Sequence, residues 1–421
     1  MQALLSVEQA PPVQAPLRFL LTAPLFLVLA GLVLIVAGGD VFASRWMPAS
    51  LAVTHLVTVG FMLLTMLGAL VQILPVVAGA HLARPSALAA AVHGLVSGGT
   101  LLLAAAFLFG GGGLFVAAAL LLGAGAGLFI IAAGKSLFAI PPTSPTIVGI
   151  KISLFGAAGV VALGIALALA LGAGWGWPLI ELTNLHATWG FAAWAGTLLA
   201  AIAYVVVPMF QLTPAYRARF SKWLAPALIV GAVVAALAML VGSPLLSRLA
   251  EGILAAAGGA FALVTLSLQR QRRRARLDTP SMYWQGGLLA ALAALAMLLI
   301  GAIWPDLAAA SAWPLLFGIL LGLGGFVSLI AGMLYRIVPF LLWLHLQQQG
   351  VLSHVGKILP DAPMRGQMMA HAGAVALCVA AVFAPESFSR PAGLMLLLSG
   401  VWLELNLLQA VRHYRDQAKS A

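Results

Sequence analysis

Residues 55–77 read HLVTVGFMLLTMLGALVQILPVV. No Asp, Glu, Lys or Arg interrupts the run, and it is long enough to cross a hydrocarbon core of about 30 Å as one α-helix. It opens on a histidine and closes on a proline, and the rest of the chain repeats its character. Apolar segments of spanning length recur at 18–38, 48–78, 87–110, 113–135, 146–172, 179–211, 223–242, 246–268, 282–304, 312–344, 366–385 and 391–411. The chain of 421 residues is 63% hydrophobic and only 7% charged, with a mean hydropathy of +1.10. Soluble domains carry about 25% charged residues, so a water-facing globular fold is excluded. The single cysteine, Cys378, excludes a disulfide scaffold and a four-cysteine metal site. The expected fold is an all-α integral membrane protein of twelve transmembrane helices. One membrane domain would cover 18–412, between an N-terminal tail at 1–17 and a C-terminal tail at 413–421.

The net charge of +11 is a matter of topology. Assigning loops alternately to the two sides places 18 of the 21 Lys and Arg on the side that holds both termini. Only Arg45, Arg248 and Arg390 fall opposite. Cytoplasmic loops are enriched in Lys and Arg, so both termini are expected in the cytoplasm of a bacterial-type inner membrane. The cluster Arg270, Arg272, Arg273, Arg274 and Arg276 then reads as an anchor against anionic headgroups. Without a soluble module or interleaved aromatics it does not read as a nucleic-acid surface. The expected partners are the lipid bilayer and an electron donor or partner subunit.

The ending of the opening run has two echoes. GALVQILPVV at 68–77 is matched by AAIAYVVVPMF at 200–210 and AGMLYRIVPFL at 331–341. A small residue (Gly68, Ala201, Gly332) stands seven places before Pro75, Pro208 and Pro339, and Val71, Tyr204 or Tyr335 stands four before. The prolines are 133 and 131 residues apart, four spans each time. The chain is therefore expected to comprise three parallel four-helix repeats, with a pseudo-threefold axis along the membrane normal.

Ionisable groups at membrane depth are costly, so each is a hypothesis of function. His81 and His354 fall in loops, and His93, His345, His371 and His413 lie near the basic face, where a headgroup-facing role is expected. Lys135, Lys151 and Arg336 can snorkel to that face. His55 and His186 differ: both lie about 10–12 Å below the opposite face, in equivalent spans, each followed within five residues by Gly-Phe. Two isolated imidazoles at one depth point to a shared kind of ligand, a cofactor or metal. Gly190, Ala193 and Thr197 share the face of His186 at helical spacing and would form a shallow groove for a flat ring. Val59, Met62 and Met66 form the corresponding stripe below His55. Glu181 lies at the outer edge, and Glu404, with Asn406, stands mid-span.

With these residues in hand, the chain resembles subunit I of the heme-copper oxidase superfamily, which includes nitric oxide reductases. The resemblance lies in twelve spans, cytoplasmic termini, three four-helix arcs and histidines in the outer half of the second and sixth spans. It implies that His55 is an axial ligand of heme iron and that His186 is a metal ligand, either the second axial ligand or the ligand of a separate site. The chain departs from that family elsewhere. KWLAPALIVGAVVAALAMLVG at 222–242 lacks the paired histidines of the seventh span, and AWPLLFGILLGLGGFVSL at 312–329 lacks those of the tenth. The usual binuclear centre is thus not expected, nor is copper. A twelve-span heme protein family linked to nitric oxide stress is a functional analogue. The expectation is a membrane hemoprotein with a redox, electron-transfer or gas-handling role. Its heme would be b-type, since no Cys-x-x-Cys-His motif exists. A multi-span transporter and a non-catalytic assembly subunit are the alternatives.

Overall fold

The structure, a computed structural model, describes residues 7–273, 276–351 and 358–419. Arg274, His354 and the extreme ends of both expected tails lie outside these residues. Among the described residues, twelve helices are long and apolar enough to cross a membrane. They are α1 (Gln14–Phe42), α2 (Pro48–Ala78), α3 (Pro85–Phe109), α4 (Gly112–Phe138), α5 (Pro145–Ala173) and α6 (Leu179–Gln211). The second half comprises α7 (Ala218–Val241), α8 (Pro244–Arg270), α9 (Thr279–Ile303), α10 (Ala312–Gln348), α11 (Asp361–Phe383) and α12 (Pro385–Lys419). No strand occurs among the described residues. The protein is a multi-pass membrane protein.

Local chemistry sets the helix boundaries. Proline occupies the first position of α2, α3, α5, α8 and α12, where its missing N–H costs nothing. Ser144, Ser243 and Asp278 cap α5, α8 and α9 by accepting from Ile147, Leu246 and Ser281 N–H. Gly79 and Gly242, at φ of 67° and 63°, end α2 and α7 in the left-handed region. The last helix departs from expectation at both ends. It starts at Pro385 and continues through Pro391 to Lys419, so residues 413–419 prolong a helix. The apolar run marks only the part that a bilayer would cover.

The helices pack in a recurring order. Helix α1 contacts α2 and α3, α5 contacts α6 and α7, and α9 contacts α10 and α11. The pairs α3–α4, α7–α8 and α11–α12 follow, and α4–α5, α8–α9 and α12–α1 close the ring. Helices α2, α6 and α10 lie innermost: 83%, 56% and 67% of their apolar windows are buried, against 50% or less in every other span. Small residues let their neighbours approach. A Cβ on Gly68 would stand 2.8 Å from Phe19 Cβ on α1, and one on Gly332 2.9 Å from Tyr283 Cβ on α9. Ala201 lies against Gly149 of α5, where a Cβ would stand 2.6 Å away.

Each inner helix also contains a π-helical segment: Leu56–Leu63, Trp189–Gly196 and Ile319–Val327. These begin 19, 19 and 20 residues before Pro75, Pro208 and Pro339. Long π segments are rare and gather at functional sites. Burial changes across them. The first segment of α10, Ala312–Gly318, has no buried residue, and that of α6, Leu179–Thr188, has only Leu185. Beyond the π segments most of α2, α6 and α10 is buried.

Candidate functional site

His55 ends the α-helical start of α2, Pro48–His55, immediately before its π segment. His186 stands three positions before that of α6. The structure brings them together, with ring centroids 6.4 Å apart and planes inclined by 21°. Each ring is oriented by a backbone carbonyl. His55 Nδ1 lies 2.8 Å from Leu51 O, and His186 Nδ1 lies 3.1 Å from Val160 O on α5. A carbonyl only accepts, so each neutral ring carries its proton on Nδ1 and its lone pair on Nε2. Metal-ligating histidines are held in this way. A metal about 2 Å from the nitrogen of each of two imidazoles would set the ring centroids about 6 Å apart.

The surroundings are aromatic and glycine-lined. Phe107 of α3 lies 5.2 Å from His55 at 29°, and Phe115 of α4 meets Phe107 edge-on at 5.2 Å. On α5, a Cβ at Gly164 would stand 3.0 Å from His186 Cε1, so the missing side chain is the seat of the ring. Gly159 receives Trp189 in the same manner. At Gly156 the backbones themselves meet: a Cβ there would lie 2.2 Å from Ala193 O.

That seam overturns the expected groove. Ala193 and Thr197 are buried, and a Cβ on Gly190 would reach Val160 of α5 at 3.4 Å. A neighbouring helix packs against the stripe, which leaves a flat ring little room along it. Met62 and Met66 are buried too. The π segment is one reason the spacing misled, because a period of 3.6 does not hold through it. Thr197 Oγ1 donates to Ala192 O, five residues back, and occupies a carbonyl in that segment.

Three of the other histidines depart from their expected headgroup role. His371 is buried, its Nε2 lies 2.9 Å from Ser328 Oγ, and its ring bonds the backbone of Leu323 in the α10 π segment. His93 Nε2 bridges to Thr22 Oγ1 on α1 at 2.9 Å, and His413 Nε2 is turned inward. Arg336 does not snorkel but pairs with Asp278, the α9 cap. Burial raises the Asp278 carboxyl, yet the Arg336 charge and the Ser281 and Arg336 hydrogen bonds outweigh it and hold it below the ordinary carboxylate range. The stability this clasp contributes is present above the ordinary aspartate value and is lost as pH falls through the lower one.

A second polar cluster joins α9 to α12. Gln367 Oε1 accepts from Tyr283 OH at 2.6 Å and Tyr335 OH at 3.0 Å, and its Nε2 donates to Ser399 Oγ at 3.0 Å. Asn406 Nδ2 donates to Tyr335 OH at 2.8 Å. Amides sit at both junctions and do not relay protons, so this cluster is a clamp. Gln367→Leu should lower stability by about 2 kcal/mol, since it strands several interhelical hydrogen bonds. Thermal melting in detergent checks this, and a wild-type midpoint would show that the clamp carries no load.

No group of three or more His, Cys, Asp or Glu side chains placed to hold a metal ion occurs among the described residues. The imidazole pair offers two nitrogen ligands, one on each ring. The sequence singled out both histidines, which lie together here, but not Gly156, Gly159 and Gly164, whose spacing along α5 was the available signal. No known family matches the chain, and no functionally characterised protein matches it by sequence.

Proposed function

We propose that the protein is a membrane hemoprotein holding one b-type heme between His55 and His186, with an electron-transfer role. The observation that carries this is the convergence of two imidazoles whose Nδ1 atoms are both tied to carbonyls. When bound, heme would supply a one-electron iron couple. The residues' own part is to fix the ring orientations through Leu51 and Val160, seat His186 on Gly164, and exclude water with Phe107 and Phe115. His55 and His186 would both be committed to holding the group, which favours electron transfer over gas binding.

The resemblance to heme-copper oxidase subunit I belongs to the same proposal. Supporting it are the contacts that recur every four helices and the π segments at matched offsets from the three prolines. On this reading three parallel four-helix units surround an axis normal to the membrane, and both termini are cytoplasmic. Reporter fusions after Arg270 and at the C-terminus should report cytoplasm, and one near Asp306 the outer side. The opposite result at Arg270 would reverse the orientation.

The decisive measurement is the absorption spectrum of purified protein, which should show a heme Soret band. Gly164→Ala should alter that spectrum without unfolding the protein, because it pushes only on the His186 ring. A multi-span carrier is the second reading, favoured by the sparsely buried first segments of α6 and α10. Protein that stays heme-free when cells are amply supplied with heme selects it.

A further inference from the structure

Helices α1 and α12 meet along a seam of glycines. A Cβ on Gly31 would stand 2.6 Å from Leu397 N, one on Gly393 2.8 Å from Gly31 O, and one on Gly400 3.0 Å from Val28 N. Backbone lies on backbone there, which leaves no passage. One turn beyond Gly400, on the same face, stands Glu404. It is half-buried, and its Oε2 is buried with no hydrogen-bond partner. Leu403 and Leu407 beside it are buried, and Leu405 faces outward. The antiparallel pairing of Gly400 with Val28 sets Glu404 level with Pro24. That proline lies inside α1 and leaves Leu20 O without a helical donor. Arg18 of α1 is about 9 Å further along the axis toward the basic end, and Glu404 makes no ion pair among the described residues.

An ionised carboxylate in apolar surroundings without a cation or donor is strongly disfavoured. A protonated one has a donor to offer, and the carbonyl that Pro24 deprives of its usual helical donor stands near its level. We infer that Glu404 is a proton-binding carboxyl, protonated at rest, which exchanges its proton only from the basic end of the bundle. The glycine seam closes the other direction. This inference does not depend on heme.

A hydrophobic carbodiimide, dicyclohexylcarbodiimide, tests it on the full chain in sealed vesicles. The carboxyl oxygen adds to the central carbon of the reagent while the acid proton passes to nitrogen. The acyl group then shifts to nitrogen, giving a stable N-acylurea with nothing lost. Mass spectrometry should find Glu404 labelled at least tenfold above any other carboxyl, and Glu404→Gln should abolish the label. Labelling should fall as pH is raised on the side of Arg217 and Arg270, and should ignore the pH of the opposite side. If the variant fails to fold, isotope-edited infrared spectroscopy of the native protein should still show a protonated glutamic acid carbonyl. Absence of that band, absence of label, or labelling that follows the opposite face overturns the inference.

Discussion

Protein carrying His55→Ala is expected to be purified without the wild-type heme spectrum, its affinity for heme reduced by at least about 100-fold. Changes to groups that merely orient a metal ligand cost about 10–100-fold, and here the ligand itself is removed. Because the rings lie 6.4 Å apart, His186→Ala should disturb the same absorption bands. Two independent sites would instead lose separate features. His413→Ala, far along the chain at the basic end, should leave the spectrum unchanged. An unaltered spectrum in the double variant would remove both histidines from the cofactor and return them to packing or transport.

Gly156→Leu should produce the largest loss of stability, about 3 kcal/mol, since a side chain there must force α5 away from α6. Its Cβ alone would overlap Ala193 O, and backbone cannot move aside as the end of a flexible side chain can. Gly127→Ala is the control, because a Cβ at that position meets nothing within 4 Å. The measurement is the thermal midpoint in detergent, followed by heme content. Should Gly156→Leu melt like the wild type, the close α5–α6 contact is not present in the protein.

The chain displays its helices openly because lipid demands uninterrupted apolar length, and length is a property of sequence. The proline-centred echoes and the two deep histidines were legible for a similar reason. Prolines and charges are scarce in such segments, so the few that occur stand out. What stayed hidden depends on partners distant in sequence. Nothing near His371 announces Ser328 or the Leu323 backbone, and nothing in α6 announces that Gly156 would fill the stripe through Ala193. The π segments were invisible as well. LVTVGFML, WGFAAWAG and ILLGLGGFV have no composition that distinguishes one hydrogen-bond step from another.

Those segments have a consequence for how the gene can change. A π turn holds about one residue more than the α turn it replaces, so each inner helix carries what amounts to a local insertion. Deleting a single codon within 56–63 would let the helix relax to ordinary winding. One α turn would then replace one π turn, so the parts that bear His55 and Pro75 would keep their relative phase. Deleting a codon within 64–74, where the winding is already α, would instead turn the part that bears His55 by about 100° relative to Pro75, and the imidazole would swing away from His186. The π segment is thus the stretch in which an inner helix can lose a residue and hold its phase. The α-helical remainder should drift freely in amino-acid identity while holding its length fixed to the residue.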